Sequence, residues 1–220
     1  MHRRTFLIGM PLALAGCGAQ HVWAPDEAVA RAFYHFDGPP SLTLFTMKNV
    51  GSGNGAHSSL MINASQRVIF DPAGSFSVPE IPERDDVLFG ITPRIEQYYI
   101  SYHSRITYYT VSQEIDVSPE VAEMALQLAL ANGPVAKAHC TLATSGILKR
   151  LPGFESIHST WFPDNLEKQL ARFPGVVTHE YRETDSDDKS IALRQIERAL
   201  QTGNGNGPGG PQGAAAGQPG

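Results

Sequence analysis

Of the two cysteines in this 220-residue chain, Cys140 opens a segment patterned as a helix. A thiol in a first helical turn is favoured as thiolate, because unbonded N–H groups and the positive end of the helix dipole lie beside it. The same N–H groups can receive the oxyanion of an acyl-transfer intermediate. From Cys140 to Leu151, the residues Cys140, Thr144, Ile147, Leu148 and Leu151 recur at spacings of three and four. The spacing predicts one inward face, and the thiol on it. A thiolate nucleophile needs a base within hydrogen-bond reach. His139 is adjacent in sequence, but successive helical positions diverge by roughly 100°, which turns its ring away. His57 suits the role better, since it begins a strand directly after the glycine-rich stretch 49–55. The competing reading makes Cys140 a small buried core residue and His57 a packing or surface histidine. His35, His103, His158 and His179 have no comparable context and are assigned to that reading.

Other chemistries lack the required spacing. Neither Cys-x-x-Cys nor His-x-x-x-His occurs among His57, His139 and Cys140, so no metal site and no cofactor is expected. Gly51, Gly53 and Gly55 come without the helix and lysine of a phosphate-binding loop. No nucleophile elbow supports a serine triad.

The elements that must position Cys140 and His57 follow from periodicity. Residues 41–47, 56–62, 67–71 and 105–111 are β-rich and predict four strands, the second and third joined by a turn at 63–66. The first part of the chain, 26–34, has a turn or two of helical pattern. Pro79, Pro82 and the pair Asp85-Asp86 mark a long loop in which a central strand is excluded. Ser118, Pro119 and Glu120 form a helix start, and Gly133-Pro134 ends that helix. Helical segments follow at 140–151, 164–172 and 190–200. Hairpin strands succeeded by a block of helices predict an α+β domain, an antiparallel sheet packed against helices.

The stretch Gly55-Ala56-His57-Ser58-Ser59-Leu60-Met61-Ile62 with Val68-Ile69-Phe70-Asp71-Pro72 resembles the His-bearing hairpin of circularly permuted NlpC-type, papain-like cysteine hydrolases. Residues 138–148, Ala138-His139-Cys140-Thr141-Leu142-Ala143-Thr144-Ser145-Gly146-Ile147-Leu148, are similar to the cysteine helix of that group, in which His precedes Cys along the chain. The resemblance covers roughly residues 41 to 175 and is one of order and local pattern. It implies a permuted papain-like fold with Cys140 as nucleophile, His57 as general base and a third polar group orienting the imidazole. Asp71 is the candidate for that group, and it shares a face with His57 only if a three-residue turn sets odd positions opposite odd ones. With a two-residue turn Asn63, Ser59 or a backbone carbonyl would serve instead. His139 stands where the family often has Asn. The implied function is a thiol hydrolase or acyltransferase acting on an amide or ester, with peptide or acyl substrates; a non-catalytic scaffold or binding module on the same fold is the alternative.

The remainder of the chain places this domain. Arg3-Arg4, an apolar run too short to span a bilayer and Leu14-Ala15-Gly16-Cys17 make a bacterial lipoprotein signal, with Cys17 the lipidated residue. Arg3-Arg4-Thr5-Phe6-Leu7 resembles a twin-arginine signal. Two acyl chains on the cysteine suffice for a stable anchor. The expected location is therefore the periplasmic side of an envelope membrane, the outer membrane favoured, with Cys140 as a leftover thiol in an export pathway. Removal of Arg3 and Arg4 from the 17 basic residues leaves 15 against 22 acidic ones, a net charge of about −7, which excludes a nucleic-acid footprint. The expected divisions are a signal peptide at 1–16, a tether at 17–30, one domain at 31–201 and a disordered Gly/Pro-rich tail at 202–220.

Overall fold

The computed structural model describes residues 19–202, so the lipidation candidate Cys17 and most of the expected tail lie outside the described residues. Helix α1 is Asp26–Arg31, followed by strands β1 (Ser41–Asn49), β2 (Gly55–Asn63) and β3 (Arg67–Phe70). The short strands β4 (Glu83–Arg84) and β5 (Val87–Phe89) precede helix α2 (Pro93–His103) and strand β6 (Tyr108–Asp116). Helices α3 (Pro119–Leu130), α4 (Cys140–Leu148) and α5 (Pro163–Leu170), strand β7 (Val177–Tyr181) and helix α6 (Lys189–Gln201) complete the order. The strands form one antiparallel sheet in the order β4-β5-β3-β2-β1-β6-β7. The fold is α+β, as the hairpin-then-helix pattern predicts.

Each face of the sheet has its own core. Leu42, Leu44, Leu60, Ile62, Val68 and Phe70 point to α3, α4 and α5 and meet Leu126, Ile147, Leu148 and Leu166. Their neighbours of opposite parity, Phe45, Met47, Met61 and Ile69, point to α2 and α6 and meet Tyr98, Tyr99, Tyr102 and Ile196. The central strands are covered on both sides, which is why β1 reads as a nearly continuous buried run.

Several elements depart from the sequence expectation. The stretch read as a proline-punctuated loop contains β4, β5 and α2. Its prolines fall outside the strands, and Thr92-Pro93 starts α2: the Thr92 hydroxyl accepts from the Ile95 amide and Pro93 occupies the first turn. Strand β7, at the exposed edge beside β6, carries the weak alternation of a strand with one solvated side. The segment expected as a tether joins the fold from residue 22: Ala24 donates to Glu83, Asp85 donates to Val22, and Trp23 bridges Arg84. Among the described residues no helix is long and apolar enough to cross a membrane.

Candidate active site

Asn63 pairs with Arg67 across the β2–β3 hairpin, so the turn holds three residues, 64–66, and odd positions oppose odd positions. That parity sets Asp71, one residue past β3, beside Ser59 and on the face that carries His57. His57 Nε2 lies 2.7 Å from Asp71 Oδ1, and Asp71 is almost completely buried. Asn63, an alternative third member, is occupied elsewhere, donating from Nδ2 to the Pro39 carbonyl at 2.6 Å.

Cys140 is the first residue of α4 and is 7% exposed. Strand β3 pairs with β2 only at residues 60–63, so the start of β2 is open on that side. There the His57 ring and the Ser58 amide come near enough to the Cys140 sulfur to bear on its charge, and the sulfur itself contacts Thr141 Oγ1 at 3.8 Å. The Ser58 hydroxyl donates to Thr141 Oγ1 at 3.0 Å and fixes the first turn of α4 to β2. Thr144 closes the same turn through Oγ1 to the Cys140 carbonyl at 3.0 Å.

The charges settle accordingly. Burial alone would push the Cys140 thiol up; the hydrogen bond and positive charge of His57, with the Ser58 amide and Thr141 hydroxyl, outweigh it and bring the thiol down to about 7. Burial would likewise suppress the His57 cation, but hydrogen bonds to Asp71 and Cys140 and their negative charges raise it to about 10. Asp71 is held below its ordinary range: burial opposes its carboxylate, but the hydrogen bond and charge of His57 and the Tyr99 hydroxyl overcome that cost. Near neutral pH the thiolate–imidazolium pair, backed by a carboxylate, is substantially populated and grows as pH rises above about 7.

Three residues of this site have no functional role in the sequence reading. Tyr99 on α2 donates its hydroxyl to Asp71 Oδ1 at 2.8 Å and is joined to Ser59 Oγ at 2.7 Å. The tyrosine has one proton and the carboxylate none, so Ser59 donates in turn to the tyrosine oxygen. His103, assigned to packing, is buried against the Tyr99 and Tyr102 rings and stacks on His57 with ring centres 6.1 Å apart. Burial lowers it to about 3, leaving it neutral, with Nδ1 donating to the Tyr99 carbonyl. Gly74 leaves space for the Asp71 carboxylate, because a Cβ there would stand 1.9 Å from Oδ2. The legible signal for Tyr99 and His103 is the Thr92-Pro93 cap followed by aromatic residues at helical spacing.

The other candidates lie apart. His139 is half-buried, packs on Trp161 with ring centres 4.7 Å apart and donates from Nδ1 to the Lys137 carbonyl at 3.0 Å. His179 sits on the edge strand β7. Among the described residues no three His, Cys, Asp or Glu side chains are grouped to hold a metal ion. No protein-family model, curated protein or solved structure matches the chain.

Proposed function

We propose that the protein is a thiol hydrolase or acyltransferase that opens amide or ester bonds through an acyl-enzyme on Cys140. The single observation that carries this is the meeting of Cys140 at the start of α4 with a His57–Asp71 pair joined at 2.7 Å, where the thiol stands at about 7 and the imidazole at about 10. In the first half-reaction the Cys140 thiolate adds to the carbonyl carbon, and the developing oxyanion is taken by the backbone N–H groups of the first turn of α4. His57 gives its proton to the departing amine or alkoxide as the C–N or C–O bond breaks, leaving a thioester. In the second, His57 removes a proton from water or an acceptor hydroxyl or amine. That nucleophile displaces the thiolate, and the imidazolium is restored. Asp71 holds the ring in the tautomer that faces the sulfur and stabilises its charge.

The order His57, Asp71, Cys140, with the cysteine helix last, supports a circularly permuted papain-like architecture of the NlpC type. The leader supports export and lipid attachment at Cys17, hence an envelope location, for which cell-wall peptides and acyl groups are the natural substrate classes.

A chromogenic ester tests the chemistry. Mixing with p-nitrophenyl acetate is expected to give a burst of one p-nitrophenolate per chain, and an acetyl group on Cys140 that mass spectrometry finds after acid quench. Cys140→Ser removes both. Absence of a burst in the folded wild type would turn the assignment to the non-catalytic scaffold.

A further inference from the structure

Beside His57 lies a cavity of about 230 Å³ whose walls include Gly74, Ser75, His103, Tyr108 and Lys189. His57, as its imidazolium, is matched by Asp71, which leaves Lys189 as the cation of this cavity without a carboxylate beside it, and its surroundings are poor for a cation. It is half-buried and is the first residue of α6, where the helix dipole presents its positive end. No carboxylate of the described residues comes within 4 Å of its ammonium; its close partner is the Tyr102 ring, 4.5 Å from Nζ to centroid. The acids nearest to it are engaged elsewhere. Asp187 accepts from the Thr107 hydroxyl at 2.7 Å, and Asp71 is held by His57 and Tyr99. Burial together with the charge of Arg105 brings the ammonium below its ordinary range, even though Asp71 and Asp187 pull the other way.

We propose that this cavity is a substrate subsite in which Lys189 receives a carboxylate borne by the acyl compound near the bond that Cys140 attacks, an inference that rests on the thiol-hydrolase reading above. A half-buried cation facing a cavity and unpaired gains most when an anion arrives, because the solvent that would screen the pair is already displaced. The Tyr108 side chain on the same wall supplies a polar edge for a carboxylate oxygen. A single ammonium matches one negative charge, and the net negative charge of the Asp71–His57–Cys140 group weighs further against a dianion such as a phosphate monoester. Of the acyl compounds open to such an enzyme, peptides with a free carboxylate beside the scissile amide fit this requirement.

Affinity-alkylation rates read the subsite without a known substrate. N-Iodoacetylglycine and N-iodoacetylglycylglycine, each beside its neutral C-terminal amide, place a carboxylate or an uncharged group at two distances from the carbon that Cys140 alkylates. The acid-to-amide rate ratio, normalised to that of mercaptoethanol, is expected to be about fivefold or more for at least one length in the wild type. Lys189→Met is expected to bring the normalised ratio to about one, and Lys189→Arg to keep most of the preference. Each ratio is taken within one variant, so a change in thiol reactivity or in the folded fraction cancels. A wild-type ratio equal to that of mercaptoethanol, or a preference that survives in Lys189→Met, overturns the subsite while fast amide alkylation still upholds the catalytic thiol. Slow alkylation of the folded wild type by acids and amides alike overturns both.

Discussion

A thiol near 7 and an imidazole near 10 define where the pair Cys140–His57 exists as an ion pair, and each limb is open to measurement. Alkylation by iodoacetamide is expected to rise with a midpoint near pH 7, against the roughly 8.5 of an ordinary cysteine. In His57→Ala the cation that opposes burial is gone, so the midpoint moves above that of a free thiol. A midpoint unchanged by the substitution would separate the two residues chemically. Ester turnover adds the upper limb: it is expected to fall above about pH 10 as His57 loses the proton it must deliver. Gly74 gives a subtler handle. Gly74→Ala drives a methyl into the Asp71 carboxylate, and turnover is expected to drop by about 10²-fold or more as the ring loses its support. Gly146→Ala in α4 is the matched control, with open space at its Cβ and a gain of about 1 kcal/mol from helix propensity. Chemical denaturation with turnover on the same samples tells the two apart.

At the scale of elements, the helix bearing the nucleophile is tied to the strand bearing the base by the buried side-chain hydrogen bond from Ser58 to Thr141. Ser58→Ala leaves the buried Thr141 hydroxyl with fewer partners and is expected to cost about 1–3 kcal/mol in urea unfolding. A cost near zero would mean that packing alone seats α4. Strand β4 holds a second titrating group. Burial, with the nearby charges of Asp86 and Asp71, raises Glu83 to about 7 from 4.5. Because the folded state binds this proton more tightly than the unfolded chain, its contribution is whole below pH 4.5 and is lost as pH rises through 7. Glu83→Gln imitates the protonated form. Its melting temperature is expected to exceed that of the wild type at pH 8 and to match it near pH 4.5; an equal offset at both pH values would exclude the linkage.

The sequence is legible where one local rule acts alone. The Ser118-Pro119 start of α3, the alternation of β1 and the helix opened by Cys140 are each decided within a few residues. Asp71 was legible only conditionally, since a strand of four residues cannot announce its own register and the three-residue turn had to be observed. The helix α2 escaped because the prolines of 79–93 resemble loop punctuation until Pro93 is seen behind its Thr92 cap. Tyr99 and His103 went with it. Lys189 reaches the site from the far end of the chain, a contact that no local spacing encodes. On the scale of the whole protein, the proposed anchor is testable apart from the chemistry. Cys17→Ser is expected to move the protein from the membrane to the soluble fraction of the envelope while Cys140 keeps its alkylation rate; retention in the membrane would point to an attachment other than the lipid.

The two cores on opposite faces of the sheet give the site an unusual dependence. Tyr99, which steadies Asp71, belongs to the α2–α6 layer, whereas Cys140 belongs to the α3–α5 layer, and the strands between them carry His57. The groups that lower the thiol, His57 and the Ser58 amide on β2 and Thr141 on α4, meet only when that helix has docked on the sheet. Cys140 is therefore a built-in sensor of that docking: a chain with α4 undocked keeps an ordinary thiol. During folding, reactive sulfur would first be present in a molecule whose α4 has closed on β2, which spares unfinished chains from reactions of an exposed thiolate.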